Sequence, residues 1–312
     1  MPKKIKVYFA PLQGFTDAVY RKTHGDFFSG VNFYFAPFVS MDNIKSGHIK
    51  KYNYNANEIP QIIVSDSESC KILVDLLIEK GFKNIDINFG CPFVLQTKKF
   101  RGSGILPYPE RVSQVFKTIE NYSDVNFSLK MRLGLKDDSE CLNLVSLINS
   151  SPIKTVTIHP RTGVQQYLGV VDNKMFEIFT SKLIGKNIVF NGDISTAQDI
   201  ENLINSYPFL SAVMCGRGLL KNPALADVYK SDENDENVIK NKFLEFNNAL
   251  IYNYLEEFSG NVNSTLVKLK SFWDYFLPTT DVKVLKKIKK SNAIEEYRVF
   301  STIAINNFKV GL

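Results

Sequence analysis

The sequence predicts a parallel (β/α)₈ barrel of the TIM type, followed by a smaller α-helical domain. Eight apolar, β-rich runs recur along the first two thirds of the 312 residues, and most gaps between them have helical periodicity. Polar residues and glycines stand at the C-terminal ends of these runs all along the chain. A closed barrel brings all eight ends to one mouth, whereas an open doubly wound sheet, the alternative, uses only a few of them.

The strand candidates follow one another with helical segments between them. Residues 67–81 place their apolar side chains on one helical face and stop at Gly81. The segments that begin at Pro109 and Ser195 start with residue types that favour helix N-termini. The eight strand candidates are residues 5–10, 31–37, 60–64, 84–88, 125–131, 154–159, 187–192 and 211–216.

Composition places the chain among globular proteins. The hydrophobic fraction is 44% and the aromatic fraction 12%, which suffices for a substantial core, and the net charge of +6 permits a polyanionic partner without requiring one. The four cysteines form no CxxC pair and do not cluster with the three histidines. No segment approaches the ~18 apolar residues of a membrane span. We therefore expect a cytoplasmic monomer that binds neither a metal nor a membrane.

The C-terminal quarter differs from the rest of the chain. We predict a barrel domain over residues 1–230 and a helical domain over 238–312, because helical periodicity without strand runs follows the acidic stretch 231–237. From Val238 onward, eleven Lys and Arg stand against seven Asp and Glu. The lysines between Lys283 and Lys290 form the densest basic run. This run is either a solvated helix face or a face that contacts phosphates.

The segment NIDINFGCP, residues 84–92, carries the most distinctive cysteine. Its first half alternates like a buried strand, and Gly90 and Pro92 break the strand around Cys91. Cys91 is either a buried small hydrophobe or a functional thiol at a strand end. With an ordinary pKa near ~8.5, a thiol can serve as a proton donor as readily as a nucleophile.

Other strand ends carry groups suited to an anionic ligand. Asn191–Ile194 and Cys215–Pro223 follow the seventh and eighth strands, where barrels frequently bind phosphate, and Arg217 adds a forked cation between two glycines. Lys130 and Arg132 are two residues apart, so both point to the same side of their strand. Buried cations at a barrel mouth favour ligand contact over a structural ion pair.

Two further strand residues are less distinctive. His159 ends the sixth strand with Arg161 behind it, and we interpret it as a ligand contact. Gln61 opens the third strand and has the pattern of an ordinary edge residue.

Seven segments, taken in order, resemble the flavin-dependent dihydrouridine synthases. The resemblance extends from the first barrel strand to the last, and a trailing helical domain also fits this family. The segments are APLQGFTD (10–17), Gln61 within PQIIVSDSE, NFGCP (88–92), LKMRLG (129–134), IHPRT (158–162), FNGDI (190–194) and MCGRGLLKNP (214–223).

The resemblance implies a chemistry and a set of site residues. It implies that NADPH reduces a bound FMN, that flavin N5 gives hydride to C6 of a uracil, and that Cys91 protonates C5. It implies that Asn88, Arg132 and Tyr167 hold the uracil. The FMN contacts that it implies are Pro11, Gln61, Lys130, His159, Asn191, Asp193, Gly216 and Arg217.

The resemblance also implies an RNA partner, most often tRNA, with ribosomal RNA as the alternative. A uracil must leave its stack to reach the flavin, so RNA-binding surface is expected beside the barrel mouth. We expect this surface to include the basic run with Lys268, Lys270 and Trp273, and the loop cations Lys98, Lys99 and Arg101. The loop at residues 98–107 departs from the family pattern. Two other functions stay open at this point: an FMN-dependent reductase of a free small molecule, and a non-catalytic RNA-binding protein.

Overall fold

Nine strands form one sheet in the computed structural model, which describes residues 4–45, 57–231 and 235–308. They are β1 (Lys6–Phe9), β2 (Phe33–Phe35), β3 (Glu58–Ile59), β4 (Gln61–Ile62), β5 (Asn84–Phe89), β6 (Asn126–Gly134), β7 (Thr155–Thr162), β8 (Asn187–Asn191) and β9 (Ala212–Cys215). Their order across the sheet is β3-β2-β1-β9-β8-β7-β6-β5-β4. The pairs β2/β3 and β4 through β9 are parallel.

The sheet closes through a single segment that a proline divides in two. Strands β3 and β4 lie at opposite ends of the sheet order, yet only Pro60 separates them in the chain. Proline has no N–H to donate, so the ladder is interrupted there, although the Pro60 carbonyl still accepts from Asp86 N at 2.9 Å. The nine strands therefore occupy eight positions around a barrel, and the predicted barrel is confirmed over the open sheet.

Helices follow most of the strands. They are α1 (Ala18–Phe27), α2 (Met41–Lys45), α3 (Ser67–Glu79), α4 (Val94–Thr97), α5 (Pro109–Ile119), α6 (Val145–Ser150), α7 (Asn173–Thr180), α8 (Ala197–Ser206), α9 (Arg217–Lys221), α10 (Leu225–Ser231), α11 (Glu236–Glu257), α12 (Val262–Phe272), α13 (Val282–Lys290) and α14 (Ile294–Asn307). Short 3-10 helices span Gly102–Ile105 and Asp138–Leu144. Among the described residues, no helix is both long and apolar enough to cross a membrane.

The described chain divides into two compact units. The first comprises the described parts of residues 1–32, 193–206 and 215–312, and the second those of 33–192 and 207–214. Within the first unit, α11 packs against α1, α12 and α14. The domain boundary predicted between residues 230 and 238 stays a prediction.

The two faces of β5 show how the sequence sets the interior of the second unit. Ile85, Ile87 and Phe89 alternate along the strand and are fully buried, and the ring of Phe89 stacks on Phe116 of α5 at 6.1 Å. Because side chains alternate across a strand, Asp86 and Asn88 project to the opposite face. That face carries the polar residues considered below.

An aromatic cluster fills the first unit around a buried histidine. The ring of His24 lies 5.2 Å from that of Phe9 and 4.9 Å from that of Phe28, and its Nε2 is 3.0 Å from the Pro223 carbonyl oxygen. Since a carbonyl only accepts, Nε2 carries the proton. Burial lowers the pKa of His24 to about 3, although the bond to Pro223 acts in the opposite direction.

The first prediction concerns stability at acid pH. The unfolded chain protonates His24 below its ordinary pKa of 6.5, whereas the folded chain does not until about pH 3. Stability from this group is therefore lost as pH falls through 6.5, by about 2 kcal/mol between pH 7 and pH 5. We expect His24→Gln, whose amide can donate to Pro223, to lack this component. Urea unfolding of both proteins at the two pH values measures it, and equal pH dependence would contradict the assignment.

Candidate functional site

Parallel register brings the polar ends of four strands side by side in the second unit. Gln61 of β4 pairs with Asp86 of β5, Asn88 pairs with Lys130 of β6, and Arg132 pairs with His159 of β7. Parallel strands end at the same edge, so these side chains share the C-terminal side of the barrel. Within this unit the structure thus brings together Gln61, Asn88, Lys130, Arg132 and His159 of the predicted site residues, and their roles stay predictions.

Cys91 follows β5 and is held by its own loop. Its side chain is only 7% exposed. The Cys91 carbonyl accepts from the Ser103 backbone N–H at 3.0 Å and from the Ser103 hydroxyl at 3.1 Å. Gly102 adopts a φ of +59°, and a Cβ there would lie 2.5 Å from the Cys91 oxygen, so the loop requires glycine at this position.

The surroundings of Cys91 keep its thiol protonated near neutral pH. Burial raises the pKa of Cys91, while a hydrogen bond with the Phe93 backbone and the charges of Arg132 and Lys130 oppose the rise. The net shift is upward from 9.0. A protonated thiol is suited to donate a proton, and this favours the donor over the nucleophile among the two roles that the sequence left open.

Gln61 and Asn88 lie in one hydrogen-bonded row. Gln61 is completely buried, which corrects its interpretation as an ordinary edge residue. Its Oε1 accepts from Asn88 Nδ2 at 2.7 Å, and its Nε2 donates to Asp86 Oδ2 at 2.6 Å. Asn88 Oδ1 accepts from the backbone N–H groups of Gly90 and Cys91, at 3.0 and 2.8 Å.

Asp86 is a site residue that sequence reasoning missed. It is fully buried and also accepts from the Ser128 hydroxyl at 2.6 Å. Burial raises the pKa of Asp86 to about 6 despite these hydrogen bonds and the charge of Lys130. The available signal was its position two residues before Asn88 in an alternating strand, which puts both side chains on one face.

Lys130 supplies a cation beside this row. Burial, with the nearby charge of Arg132, lowers the pKa of Lys130 to about 8, and Asp86 and Cys91 act in the opposite direction. The ammonium is therefore still largely protonated at pH 7, but it is poorly solvated. An anionic group placed beside it would restore its ordinary pKa.

Arg132 and Tyr167, two of the predicted uracil contacts, lie beside each other. Arg132 is 2% exposed, and its Nε donates to the Gly90 carbonyl at 3.0 Å and one terminal nitrogen to the Thr162 carbonyl at 2.8 Å. The guanidinium carbon lies 5.6 Å from the centre of the Tyr167 ring, which is itself 43% exposed. The pair thus places a fixed cation beneath an accessible ring.

His159 and Asn191 are also fixed by neighbours. A guanidinium nitrogen of Arg161 lies 3.1 Å from His159 Nε2, and because guanidinium only donates, this ring nitrogen is the acceptor. Arg161 is anchored in turn by the carbonyls of Leu168 and Gly169. Asn191 Nδ2 donates to the Met214 carbonyl at 2.7 Å.

The remaining predicted contacts belong to the first unit. Arg217 donates to Asp193 at 3.3 Å, and both side chains are partly exposed. Gly216 precedes α9, and a Cβ there would lie 3.4 Å from that of Ala10, the neighbour of Pro11. Within this unit the four predicted residues thus gather around the β1 and β9 ends.

Several cations that we expected to meet RNA are engaged elsewhere. Lys99 and Arg101 both pair with Asp42 of α2, at 3.0 and 2.8 Å. Lys268 pairs with Asp17 at 2.6 Å, and Lys270 bonds the Ser291 carbonyl.

Trp273 has a structural environment of its own. It is 4% exposed, and its indole N–H donates to the Tyr297 hydroxyl at 2.9 Å. This tryptophan is therefore a core residue and offers no stacking surface. The exposed cations of the expected set are Lys98 and Lys99 of the loop, of which Lys99 is paired with Asp42, and Lys283, Lys286, Lys287 and Lys290 of α13.

Comparison with known proteins shows the family of this chain. The family model described as Dihydrouridine synthase (Dus) matches residues 8–296. The chain is 27% identical over 264 residues to tRNA-dihydrouridine synthase B of Pasteurella multocida, an alignment that covers 81% of this chain and 77% of that protein. It is 30% identical over 158 residues to the Vibrio parahaemolyticus protein of the same name, covering 50% of this chain and 48% of the relative.

A solved structure shares the fold. A variant of morphinone reductase in complex with tetrahydroNAD superposes with a TM-score of 0.50 at 9% identity, covering 73% of this chain and 86% of that one. At this identity the likeness concerns the barrel fold alone.

The second prediction follows from the environment of Cys91. Because its pKa is raised from 9.0, alkylation by iodoacetamide should keep rising from pH 7 to pH 9 without a plateau. Lys130→Met removes a charge that favours the thiolate, so alkylation at pH 7 should slow by about threefold or more. Mass spectrometry of the Cys91 peptide gives the rate, and Cys91→Ser gives the background from the other cysteines. A plateau below pH 8 would contradict a protonated thiol.

Proposed function

This chain belongs to the dihydrouridine synthase family, and from that membership we propose that it reduces a specific uridine in RNA to 5,6-dihydrouridine with FMN as cofactor. The names of its relatives favour tRNA as that RNA. The observation that carries the proposal is a grouping at the C-terminal ends of two neighbouring strands, β5 and β6. The residues of this group are Cys91, Asn88, Lys130 and Arg132. A proton donor, a cation and polar groups for a base are the components that this reduction needs.

The residues of the second unit fit a flavin. The Thr157 hydroxyl is fully buried and lacks a hydrogen-bond partner among the described residues, and Thr157 pairs in register with Lys130. Gln61 retains an unused amide N–H and a carbonyl lone pair. Such a mixed set of donors and acceptors beside a cation suits the polar edge of an isoalloxazine ring.

We therefore propose Gln61, Lys130, His159 and Asn191 as flavin contacts. For the first unit we propose that Asp193, Gly216 and Arg217 serve the cofactor phosphate and that Pro11 contacts the ring, in line with the family resemblance. The partly exposed Arg217 guanidinium is suited to a phosphate because it offers several N–H donors in a fork.

The protein's own residues then divide the remaining work. When bound, the reduced flavin supplies a hydride to C6 of the uracil, and NADPH is the proposed source of its electrons. Cys91, protonated at neutral pH, donates its proton to C5. The Lys130 cation stabilises negative charge that develops next to its ammonium group. Asn88, Arg132 and Tyr167 hold the uracil base. Exclusion of water by the buried Asn88, Cys91 and Arg132 strengthens each of these interactions.

For the RNA itself we propose the helical region at residues 238–312. On α13, Lys283, Lys286 and Lys290 are exposed, and their spacing of three and four residues places them on one face. Ile288 of the same helix is fully buried, so the lysine face points outward. A row of cations at this spacing suits a phosphate backbone.

The third prediction tests Cys91. Cys91→Ala should lower dihydrouridine formation by about 10²–10⁴-fold, because the proton donor is lost, while the purified protein keeps its flavin absorbance. Cys70→Ala, which alters a buried free cysteine of α3, is the matched control and should remain active. The substrate is tRNA from host cells in which this gene is deleted, and dihydrouridine is quantified by mass spectrometry.

The outcomes separate the alternative functions. Full activity of Cys91→Ala would refute the proton-donor role. A yellow protein that reduces free enones, or that interconverts orotate and dihydroorotate, and leaves RNA unchanged would instead support a small-molecule reductase. A colourless protein that binds RNA would support the non-catalytic alternative. Mapping the uridines that lose their modification in the deleted host identifies the target position.

The fourth prediction concerns the α13 face. Replacing Lys283, Lys286 and Lys290 together by Gln should weaken tRNA binding. The plot of log affinity against log salt should become shallower, with the magnitude of its negative slope reduced by about 2–3. The control variant replaces three exposed lysines of the second unit, Lys71, Lys83 and Lys117. Fluorescence anisotropy between 50 and ~300 mM salt gives both slopes. Equal effects of the two variants would contradict a specific role for α13.

A further inference from the structure

A directed chain of hydrogen bonds runs from the barrel interior to the backbone of Cys91. It begins at the Ser128 hydroxyl, passes through Asp86, Gln61 and Asn88, and ends at the N–H groups of Gly90 and Cys91. Every distance in the chain lies between 2.6 and 3.0 Å. Asp86, Gln61, Asn88 and Cys91 are buried, so solvent does not offer them alternative partners.

The upper end of the chain allows one orientation of each amide. Backbone N–H groups only donate, so Asn88 must present Oδ1 to Gly90 and Cys91. Its Nδ2 then faces Gln61, which must present Oε1. Gln61 consequently presents Nε2 to residue 86, and that residue must be a hydrogen-bond acceptor.

The lower end imposes the same orientation independently. An ionised carboxylate only accepts, so Asp86 requires the amide nitrogen of Gln61 and the hydroxyl proton of Ser128. The two ends of the chain therefore agree on the direction of both amides. The agreement does not depend on how the nitrogen and oxygen atoms of either amide are placed, because a carboxylate and a backbone N–H are unambiguous.

Given the proposed function, we infer that Asp86 is a positioning residue of the reaction, whose carboxylate orients the Gln61 and Asn88 amides and thereby fixes the backbone that carries Cys91. An apolar residue at position 86 would leave Gln61 Nε2 without an acceptor. Gln61 could then turn over, Asn88 would lose its defined orientation, and the N–H groups of Gly90 and Cys91 would lose their partner.

The orientation also determines what the amides can offer a ligand. Asn88 Oδ1 already accepts two N–H groups, so the free capacity of Asn88 is one N–H on Nδ2. Asn88 is therefore a donor only and contacts a carbonyl oxygen of the pyrimidine. Gln61 keeps one N–H and one lone pair, so it can serve as a donor and an acceptor at once.

The first experiment needs no ligand. Amide hydrogen exchange of the purified protein, followed by mass spectrometry, reports the protection of the Gly90 and Cys91 N–H groups. In Asp86→Leu we expect exchange at these two amides to be faster by about tenfold or more, because each lost bond removes protection. Asp86→Asn should stay close to the wild type, since an asparagine can present its oxygen to Gln61 while its nitrogen donates to the Ser128 hydroxyl.

Two additional variants protect this test against misfolding and non-specific effects. In Asp86→Asn combined with Ser128→Ala, the hydroxyl that holds the nitrogen of the new asparagine amide at position 86 is lost. The oxygen of that amide is then less firmly directed at Gln61, so exchange at Gly90 and Cys91 should lie between the rates in Asp86→Asn and Asp86→Leu. Asp227→Asn alters another buried carboxyl, which accepts from Gly30 N in the first unit. We expect it to leave exchange at Gly90 and Cys91 and dihydrouridine formation within about twofold of the wild type, because it lies outside the chain of bonds.

The second experiment is a double-mutant cycle on dihydrouridine formation at saturating FMN. Asp86→Leu should lower the rate by about 100-fold through misplacement of the proton donor. If Asp86 acts through Gln61, then Asp86→Leu in a Gln61→Ala background should cause little further loss. A merely structural carboxylate would instead give effects that multiply.

The outcomes distinguish this inference from the proposed function. A wild-type protein that forms no dihydrouridine refutes the proposed function, and the exchange experiment still decides whether Asp86 orients the two amides. An active wild type, together with unchanged exchange in the folded Asp86 variants or with multiplying effects in the cycle, overturns the role of Asp86.

Discussion

The candidate site depends on keeping a carboxylate and an ammonium inside the same barrel interior. Asp86 of β5 and Lys130 of β6 are on adjacent strands, and burial moves their pKa values towards each other, to about 6 and about 8. Each charge is costly unless it is paired or hydrogen-bonded. The Asp86 carboxylate is hydrogen-bonded by Gln61 and Ser128. Its need for a donor sets the orientation of the Gln61 amide and, through it, of the Asn88 amide. Lys130 remains the group that gains most from an anionic ligand.

The loop after β5 converts this ordered interior into a fixed thiol. The Cys91 carbonyl accepts hydrogen bonds from the hydroxyl and the backbone N–H of Ser103, and the Cys91 N–H donates to Asn88 of β5. Gly102 allows the loop to approach closely, and Ile105 of the same loop is fully buried. The atypical loop therefore has a packing role, and Arg101, through its pair with Asp42, fastens it to α2.

Local patterns sufficed for the barrel and drew attention to polar residues at its strand ends. The eight β-rich runs and the polar residues at their ends predicted the architecture, because strand periodicity and the residue types at strand ends depend on residues that are close in the sequence. The split at Pro60 was missed because the two halves of that segment pair with different neighbours.

Long-range partners account for the remaining errors. Asp86 was overlooked because its value lies in contacts with Gln61 and Ser128, 25 and 42 residues away. Lys99 and Arg101 were assigned to RNA because their partner, Asp42, is 57 and 59 residues away. Trp273 likewise became a core residue through Tyr297. A sequence shows which side chains can pair, but the fold decides which of them meet.

These corrections change where an RNA backbone can be bound. Lys268 and Lys270 already use N–H donors on Asp17 and on the Ser291 carbonyl. A phosphate finds fewer free donors there or displaces an existing bond at a cost, so neither lysine gains as much from RNA as a solvated lysine does. Lys283, Lys286 and Lys290 pay no such cost, because their side chains are exposed on the outer face of α13. Ile288 holds that helix against the first unit while Lys289 is tied to Asp274. The helix is thus anchored on one side and presents free cations on the other, which is the arrangement that non-specific phosphate binding requires.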